Sequence, residues 1–183
     1  PWPAQGLYSK KEINSVADLK GLKFRAYNSA TIRIAELTGM APTKIEAAEI
    51  SQAFSTGAVE SMITSPTTGK NKKIWENGVG YFYDIAAWFP KNMVIVNKDA
   101  WNKLDSATQK LVMKEAALAE RKGWDLSKKG NVADKKALAD AGMKVGKVNS
   151  ALQKHFQEVG ATMAKEWADR AGSRGAGVLA AYR

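Results

Sequence analysis

The stretch DLKGLKFR, Asp18 to Arg25, leads from a short capped turn into the first clear strand, predicted over residues 22–27. Because strand side chains alternate, Leu22 and Phe24 lie on one face and Arg25 lies on the other. An arginine inside a covered sheet is costly unless a negative group meets it. Arg25 therefore needs an acidic residue of its own chain or a ligand carboxylate, and the local pattern leaves both alternatives open.

Strands and helices alternate outward from this stretch. Strands are predicted over residues 22–27, 41–46, 58–66, 79–85, 92–97 and 143–148. Helices are predicted over 29–37 and 47–57, and connections of a few residues between such elements are typical of βαβ units. The run 92–97 is continuously apolar, as in a strand covered on both faces. The pattern predicts an α/β fold with a parallel-rich sheet and flanking helices.

The second half of the chain is predicted to be a long helical region. One helical face is formed by Leu104, Ala107, Leu111 and Leu118, and a second by Leu152, Phe156, Val159, Met163 and Trp167. Ser106 and Ser150, each followed three residues later by glutamine, predict capping boxes. Gly123 and Gly130 are potential breaks. We expect a lead-in segment over 1–21, an α/β ligand-binding lobe over 22–97, and over 98–183 helices and a short strand that pack on and bridge the lobes.

Composition excludes several classes of function. The chain of 183 residues has no cysteine, which excludes disulfides, thiol nucleophiles and cysteine metal sites. Its net charge of +10 fits nucleic acid, anionic membranes or acidic ligands. The lysines are spread out, however, with neither an aromatic-basic RNA motif nor zinc-finger spacing. We therefore expect no nucleic-acid partner, and a basic nucleic-acid-binding module remains an alternative interpretation.

Catalytic motifs are missing from the sequence. His155 is the single histidine, and its place on an amphipathic helix is typical of a surface or rim residue. Neither a G-x-S-x-G elbow nor a phosphate loop ending in GK[ST] occurs. The sequence predicts a protein that is not an enzyme and has no cofactor and no metal, with an α/β enzyme of unknown reaction as a further alternative.

Polar side chains follow the predicted strands, where open α/β sheets gather ligands. Arg25 and Asn28 follow the first strand, and Thr64 and Ser65 follow the third. Arg25 can bind a carboxylate through two parallel hydrogen bonds. Thr64 and Ser65 offer hydroxyls, although both fit a simple turn cap as well. Trp88 is the aromatic residue best placed to line a pocket.

Three segments in combination resemble the solute-binding proteins of TRAP transporters, the DctP family. They are DLKGLKFR, AEISQAFSTGAVES and MVIVNKDAWNKLD. The resemblance runs from about Ser15 to the end of the second amphipathic helix. It implies a periplasmic, two-lobed, periplasmic-binding-protein-like fold that closes over an organic acid and delivers it to membrane permease subunits. It also implies that Arg25, the arginine of the LKGLKxR motif, holds the ligand carboxylate.

The resemblance assigns further positions to the ligand site. Thr64, Ser65 and Pro66 line it, with hydroxyls where the family often has an amide. Ala47 stands where the family often has a stacking aromatic residue, which leaves room for a ligand with an apolar or aromatic body. The third contact region is Pro90 to Asn92. Because the family has an N-terminal lobe ahead of these segments, we expect a C-terminal portion of such a protein, as a monomer or dimer.

Overall fold

The computed structural model describes residues 1–182, in which six short strands form one mixed sheet. They are β1 Gly6–Ser9, β2 Lys23–Ala26, β3 Ala41–Lys44, β4 Ser61–Thr64, β5 Tyr81–Tyr83 and β6 Lys144–Gly146. The order across the sheet is β3-β2-β4-β1-β5-β6. β2 is parallel to β3 and β4, and β5 is parallel to β6. The predicted parallel-rich α/β sheet is confirmed, with strands shorter than predicted.

The segment predicted as a lead-in contributes an interior strand. β1 pairs antiparallel with both β4 and β5, so Leu7 lies opposite Ile63 on one side and Tyr83 on the other. All four of its residues are buried. β1 therefore joins the βαβ part of the sheet to β5 and β6.

Helices cover the sheet and form the second half of the chain. They are α1 Ser29–Thr38, α2 Ile50–Ser55, α3 Pro66–Asn71, α4 Lys98–Asn102, α5 Ser106–Asp140 and α6 Ser150–Tyr182. Single 3-10 turns occupy Val16–Leu19, Ala47–Glu49 and Ile74–Asn77. Gly172, with φ 62°, interrupts α6. No helix within residues 1–182 is both long enough and apolar enough to cross a membrane.

Local chemistry explains where α1 begins and ends. Asn28 is its N-cap, and its Oδ1 accepts a hydrogen bond from the Thr31 amide at 2.8 Å. Gly39 ends the helix with φ 75°, a left-handed conformation that glycine adopts without steric strain. The sequence predicts either Asn28 or Ser29 as the cap and Gly39 as the end of this helix; the structure selects Asn28 and confirms Gly39.

Alternate side chains of each strand enter different apolar clusters. Leu7 and Ile63 belong to the first cluster, which packs against α1 and α6. Tyr8 and Met62 belong to the second cluster, which includes Ile50 and Phe54 of α2 and Leu138 of α5. Phe24 lies in the first cluster with Leu22, as the strand alternation predicted. The sheet is thus covered on both faces, which is the condition that makes a strand arginine costly.

The predicted strand over 92–97 is wrong. These residues have no regular secondary structure, and the side chain of Ile95 is 85% exposed. Val94 lines a cavity of about 890 Å³ together with Leu111 and Val112 of α5, which are exposed as well. A strand needs a hydrogen-bonding neighbour as well as an apolar composition, and no strand of residues 1–182 pairs with this run.

Neither predicted capping box forms within the described chain, because the residue before each serine is the N-cap. α5 is capped by Asp105, whose Oδ1 accepts from the Thr108 amide at 2.9 Å, rather than by Ser106. At the start of α6, Asn149 Oδ1 accepts from the Leu152 amide at 3.0 Å, so Ser150 is already helical. Asp and Asn are N-caps at least as strong as Ser, so the preceding residue takes the role.

The predicted breaks at Gly123 and Gly130 are also absent, and α5 is continuous through both. Tertiary contacts support the helix there, because Asp134 accepts a hydrogen bond from Thr67 of α3 at 2.6 Å. Lys70 of α3 adds an ion pair to the same carboxylate at 3.0 Å. Packing against α3 outweighs the weak helix propensity of the glycines.

Candidate functional site

Arg25 is buried near the carboxyl end of β2. It pairs with Met62 of β4, so its side chain enters the face of the second cluster, and only 4% of the residue is exposed. Its Nε donates to the backbone oxygen of Ile45 at 2.9 Å. Among residues 1–182, no carboxylate lies within 4.0 Å of the guanidinium. An ion pair with the described part of its own chain is therefore not the explanation for this arginine.

The positive charge of Arg25 is only partly compensated by the groups around it. Burial lowers the pKa of its guanidinium, and the nearby Tyr27 and Glu46 side chains oppose that shift only in part. A buried cation in this state gains most from an added negative partner within hydrogen-bonding distance. The site is therefore electrostatically suited to bind an anion.

Tyr27 packs over Arg25 and was not among the residues predicted from the sequence. The Cζ of Arg25 lies 4.5 Å from the centroid of the Tyr27 ring. Burial raises the pKa of the Tyr27 hydroxyl, while the nearby Arg25 lowers it in part. The available signal was the alternation of the predicted strand over 22–27, which places residues 25 and 27 on one face, although β2 itself ends at Ala26.

Trp88 is held in place by a short antiparallel pairing of two segments. The Gln5 amide donates to the Trp88 oxygen at 3.0 Å, and the Trp2 amide donates to the Pro90 oxygen at 2.9 Å. This pairing of residues 2–5 with 87–90 fixes the backbone around Trp88, and the Pro90 oxygen takes part in it.

The end of β4 lies next to that of β2. Thr64 is two residues beyond Met62, the pairing partner of Arg25, and no hydrogen bond of its hydroxyl is found in the described chain. Ser65 is the N-cap of α3, since its Oγ accepts from the Thr68 amide at 3.1 Å, and Pro66 is in the first turn. The turn-cap alternative is confirmed for Ser65, whereas Thr64 makes no such capping bond within residues 1–182.

Asn28 and Trp88 also line a cavity of about 560 Å³ on the other face of the sheet. Its wall is largely apolar, with Ile34 of α1 and Met163 of α6 among the lining residues. Asn28 uses its Oδ1 to cap α1, so its amide nitrogen is the group available there. Arg25 is not among the residues that line this cavity.

The remaining predicted site residues lie at different distances from Arg25 along the chain. Ala47 is exposed and starts a 3-10 turn two residues after Ile45, whose oxygen binds Arg25. Asn92 is exposed and lines the separate cavity beside α5. The structure thus places the ends of β2 and β4, with Arg25 and Thr64, side by side, whereas Trp88 lines the cavity on the other face and Asn92 the cavity beside α5.

The arrangement offers binding groups rather than proton-transfer groups. His155 lies on α6 and is not among the residues that line the 560 Å³ cavity. No group of three or more potential metal-binding side chains is found in residues 1–182. The side-chain groups in this region are a buried guanidinium, a hydroxyl, an amide and two aromatic rings.

Solved structures of other proteins share this fold. The extracytoplasmic solute receptor DctP6 of Bordetella pertussis, described as binding pyroglutamic acid, matches with a TM-score of 0.95 and 42% identity. A marine metagenome TRAP solute-binding protein, described as specific for pyroglutamate, matches with a TM-score of 0.94 and 38% identity. Each match covers 100% of this chain and 60% of the other.

Sequence comparison gives the same family. The sialic acid-binding periplasmic protein SiaP of Vibrio cholerae is 29% identical over 109 residues, which is 58% of this chain and 33% of SiaP. This chain therefore spans well under two thirds of the length of these relatives. A family model described as bacterial extracellular solute-binding protein, family 7, matches residues 4–170. The chain belongs to this family of solute-binding proteins, the DctP family.

Proposed function

We propose that the chain forms the carboxylate-binding part of an extracytoplasmic receptor of a TRAP transporter. It captures a small organic acid through an ion pair with Arg25 and delivers it to the membrane permease subunits. The observation that carries the proposal is the buried guanidinium of Arg25, which has no carboxylate partner among residues 1–182. Family membership supports a periplasmic location.

The proposed ligand is a monocarboxylate of the size and polarity of pyroglutamate. Two structural neighbours at 42% and 38% identity are described as binding that acid. In this proposal the carboxylate meets Arg25, the ring packs against Trp88, and the lactam group bonds with the Thr64 hydroxyl. Ala47 leaves room beside the ligand, and the sheet edge carries too few polar groups for a sugar acid.

The other predicted contact residues are proposed to contribute less to the affinity for the ligand. Asn28 offers its amide nitrogen, while Ser65 and Pro66 shape the backbone that presents Thr64. Pro90 and Asn92 would approach the ligand only through the segment that follows Trp88. Affinity is therefore proposed to depend most on Arg25 and least on Asn92.

Calorimetry on the complete protein tests this function with two ligands of the same shape. Pyroglutamate and its uncharged carboxamide differ in the group that meets Arg25. Because a desolvated arginine–carboxylate pair is worth on the order of 2–5 kcal/mol, we expect the acid to bind at least about 30-fold more tightly. Equal affinity for the acid and the carboxamide would contradict the proposal, as would tight binding of duplex DNA without binding of any organic acid.

A further inference from the structure

Tyr27 limits which donors of Arg25 a ligand can reach. Its ring covers one face of the guanidinium, with 4.5 Å between Cζ and the ring centroid. The Nε edge is occupied by the Ile45 oxygen at 2.9 Å. The two terminal nitrogens are therefore the donors that remain for a ligand, and they lie in the plane that suits a bidentate carboxylate.

The backbone of Tyr27 is fixed by the cap of α1. Its amide donates to the Thr31 Oγ1 at 3.0 Å. The Thr31 hydroxyl donates in turn to the Asn28 backbone oxygen at 2.9 Å. The half-buried ring therefore extends over Arg25 from an anchored backbone.

We infer that Tyr27 is a positioning residue that orients Arg25 for carboxylate binding and thereby sets the preference for acids over neutral analogues. An aromatic ring attracts a guanidinium through its quadrupole without supplying a negative charge. Tyr27 can thus hold the side chain while its positive charge stays available, which a carboxylate neighbour would not permit. This inference rests on the proposed function of Arg25 and extends it to a second residue.

Two substitutions in the complete protein separate orientation from simple packing. We expect Tyr27→Leu to weaken pyroglutamate binding about tenfold, and carboxamide binding much less, so the acid-to-carboxamide ratio falls. Tyr27→Phe keeps the ring and should recover most of that ratio. In an Arg25→Met background, Tyr27→Leu should cause no further loss for the acid, because the group that it orients is gone.

Tyr81 supplies a matched control. It packs against Lys144 with 5.2 Å between Nζ and the ring centroid, on the β5–β6 side of the sheet. Tyr81→Leu removes a comparable aromatic–cation contact and should leave the acid-to-carboxamide ratio unchanged. Equal losses for both ligands in Tyr27→Leu, or additive losses with Arg25→Met, would overturn the inference.

A ligand-free measurement decides the inference even if the proposed ligand is wrong. The Nε–H signal of Arg25, assigned in ¹⁵N NMR by its disappearance in Arg25→Met, should exchange slowly with solvent in the wild-type protein. Tyr27→Leu should accelerate that exchange at least about fivefold, because the side chain loses its covering ring. An unchanged exchange rate would refute the positioning role, whereas a wild-type protein that binds neither ligand would refute only the proposed function.

Discussion

Arg25 and Arg33 lie eight positions apart and have opposite surroundings. Arg33 of α1 is 40% exposed, and its Nη2 lies 2.6 Å from Glu166 of α6. Its Nη1 lies 3.0 Å from Glu36, one turn away on α1. Arg25 is buried, bonded to a backbone oxygen and covered by an aromatic ring. The exposed arginine has two carboxylates, while the buried arginine has none within the described chain.

The two pKa shifts express the same difference. The hydrogen bonds that Arg33 donates to Glu166 and Glu36 raise the pKa of Arg33, whereas burial lowers the pKa of Arg25. Arg33 is thus satisfied by its own chain and ties α1 to α6. Arg25 remains a buried cation with no carboxylate partner among residues 1–182. The comparison indicates that an arginine becomes a candidate binding residue when no carboxylate of the described chain pairs with it, and not merely because it is an arginine.

The largest expected effect is the loss of ligand affinity in Arg25→Met. Removing the guanidinium should cost on the order of 2–5 kcal/mol of binding, measured by calorimetry with pyroglutamate. Stability in urea should change by no more than about 1 kcal/mol, since the lost hydrogen bond to Ile45 is offset by the removal of a buried charge. A variant that loses much stability and keeps its affinity would reverse the assignment.

Arg33→Met should show the opposite pattern with a smaller effect. We expect Tm to fall by about 1–3 °C, because α1 loses its link to α6, and acid affinity to stay within about twofold. Glu166→Gln is the matched control and should lower Tm to a similar extent. Weakened ligand binding in either variant, at unchanged stability, would show that the comparison of the two arginines is wrong.

The smallest expected effect is the pH dependence of the Glu166 contribution. The hydrogen bond from Arg33 holds the pKa of Glu166 below its ordinary value of 4.5. Because the folded-state pKa is depressed, this stabilisation is present above pH 4.5 and is lost as the pH falls through the folded-state value. The Tm difference between wild type and Glu166→Gln should therefore close on acidification. A difference that stays constant to pH 3 would contradict this explanation.

Local signals were sufficient for elements whose ends are fixed by their own residues. Asn28, one of the two predicted caps, and Gly39 bound α1, and Ile50 and Phe54 are buried four residues apart, as a helix over 47–57 predicts. The alternation around Phe24 placed Arg25 on the correct face of the sheet. These features depend on backbone geometry and apolar periodicity, which are written into short stretches of sequence.

Features that depend on distant partners could not be derived in this way. The interior position of β1 depends on β4 and β5, more than fifty residues away. Strand alternation places Tyr27 on the face of Arg25, but the stacking of its ring on the guanidinium depends on the turn that follows β2. Whether Asp105 or Ser106 caps α5 depends on which side chain accepts a hydrogen bond from the amide three residues later. The structure shows that Asp105 does, from the Thr108 amide.

The exposed run Met93 to Val96 has a consequence for the behaviour of the chain in solution. Its unpaired backbone and adjacent apolar side chains form a template on which other extended strands can assemble. Lys91 and Lys98 flank the run, as charged gatekeepers do around aggregation-prone segments. Colloidal stability should therefore depend on the repulsion these lysines provide, and concentrated salt, by screening them, should favour aggregation.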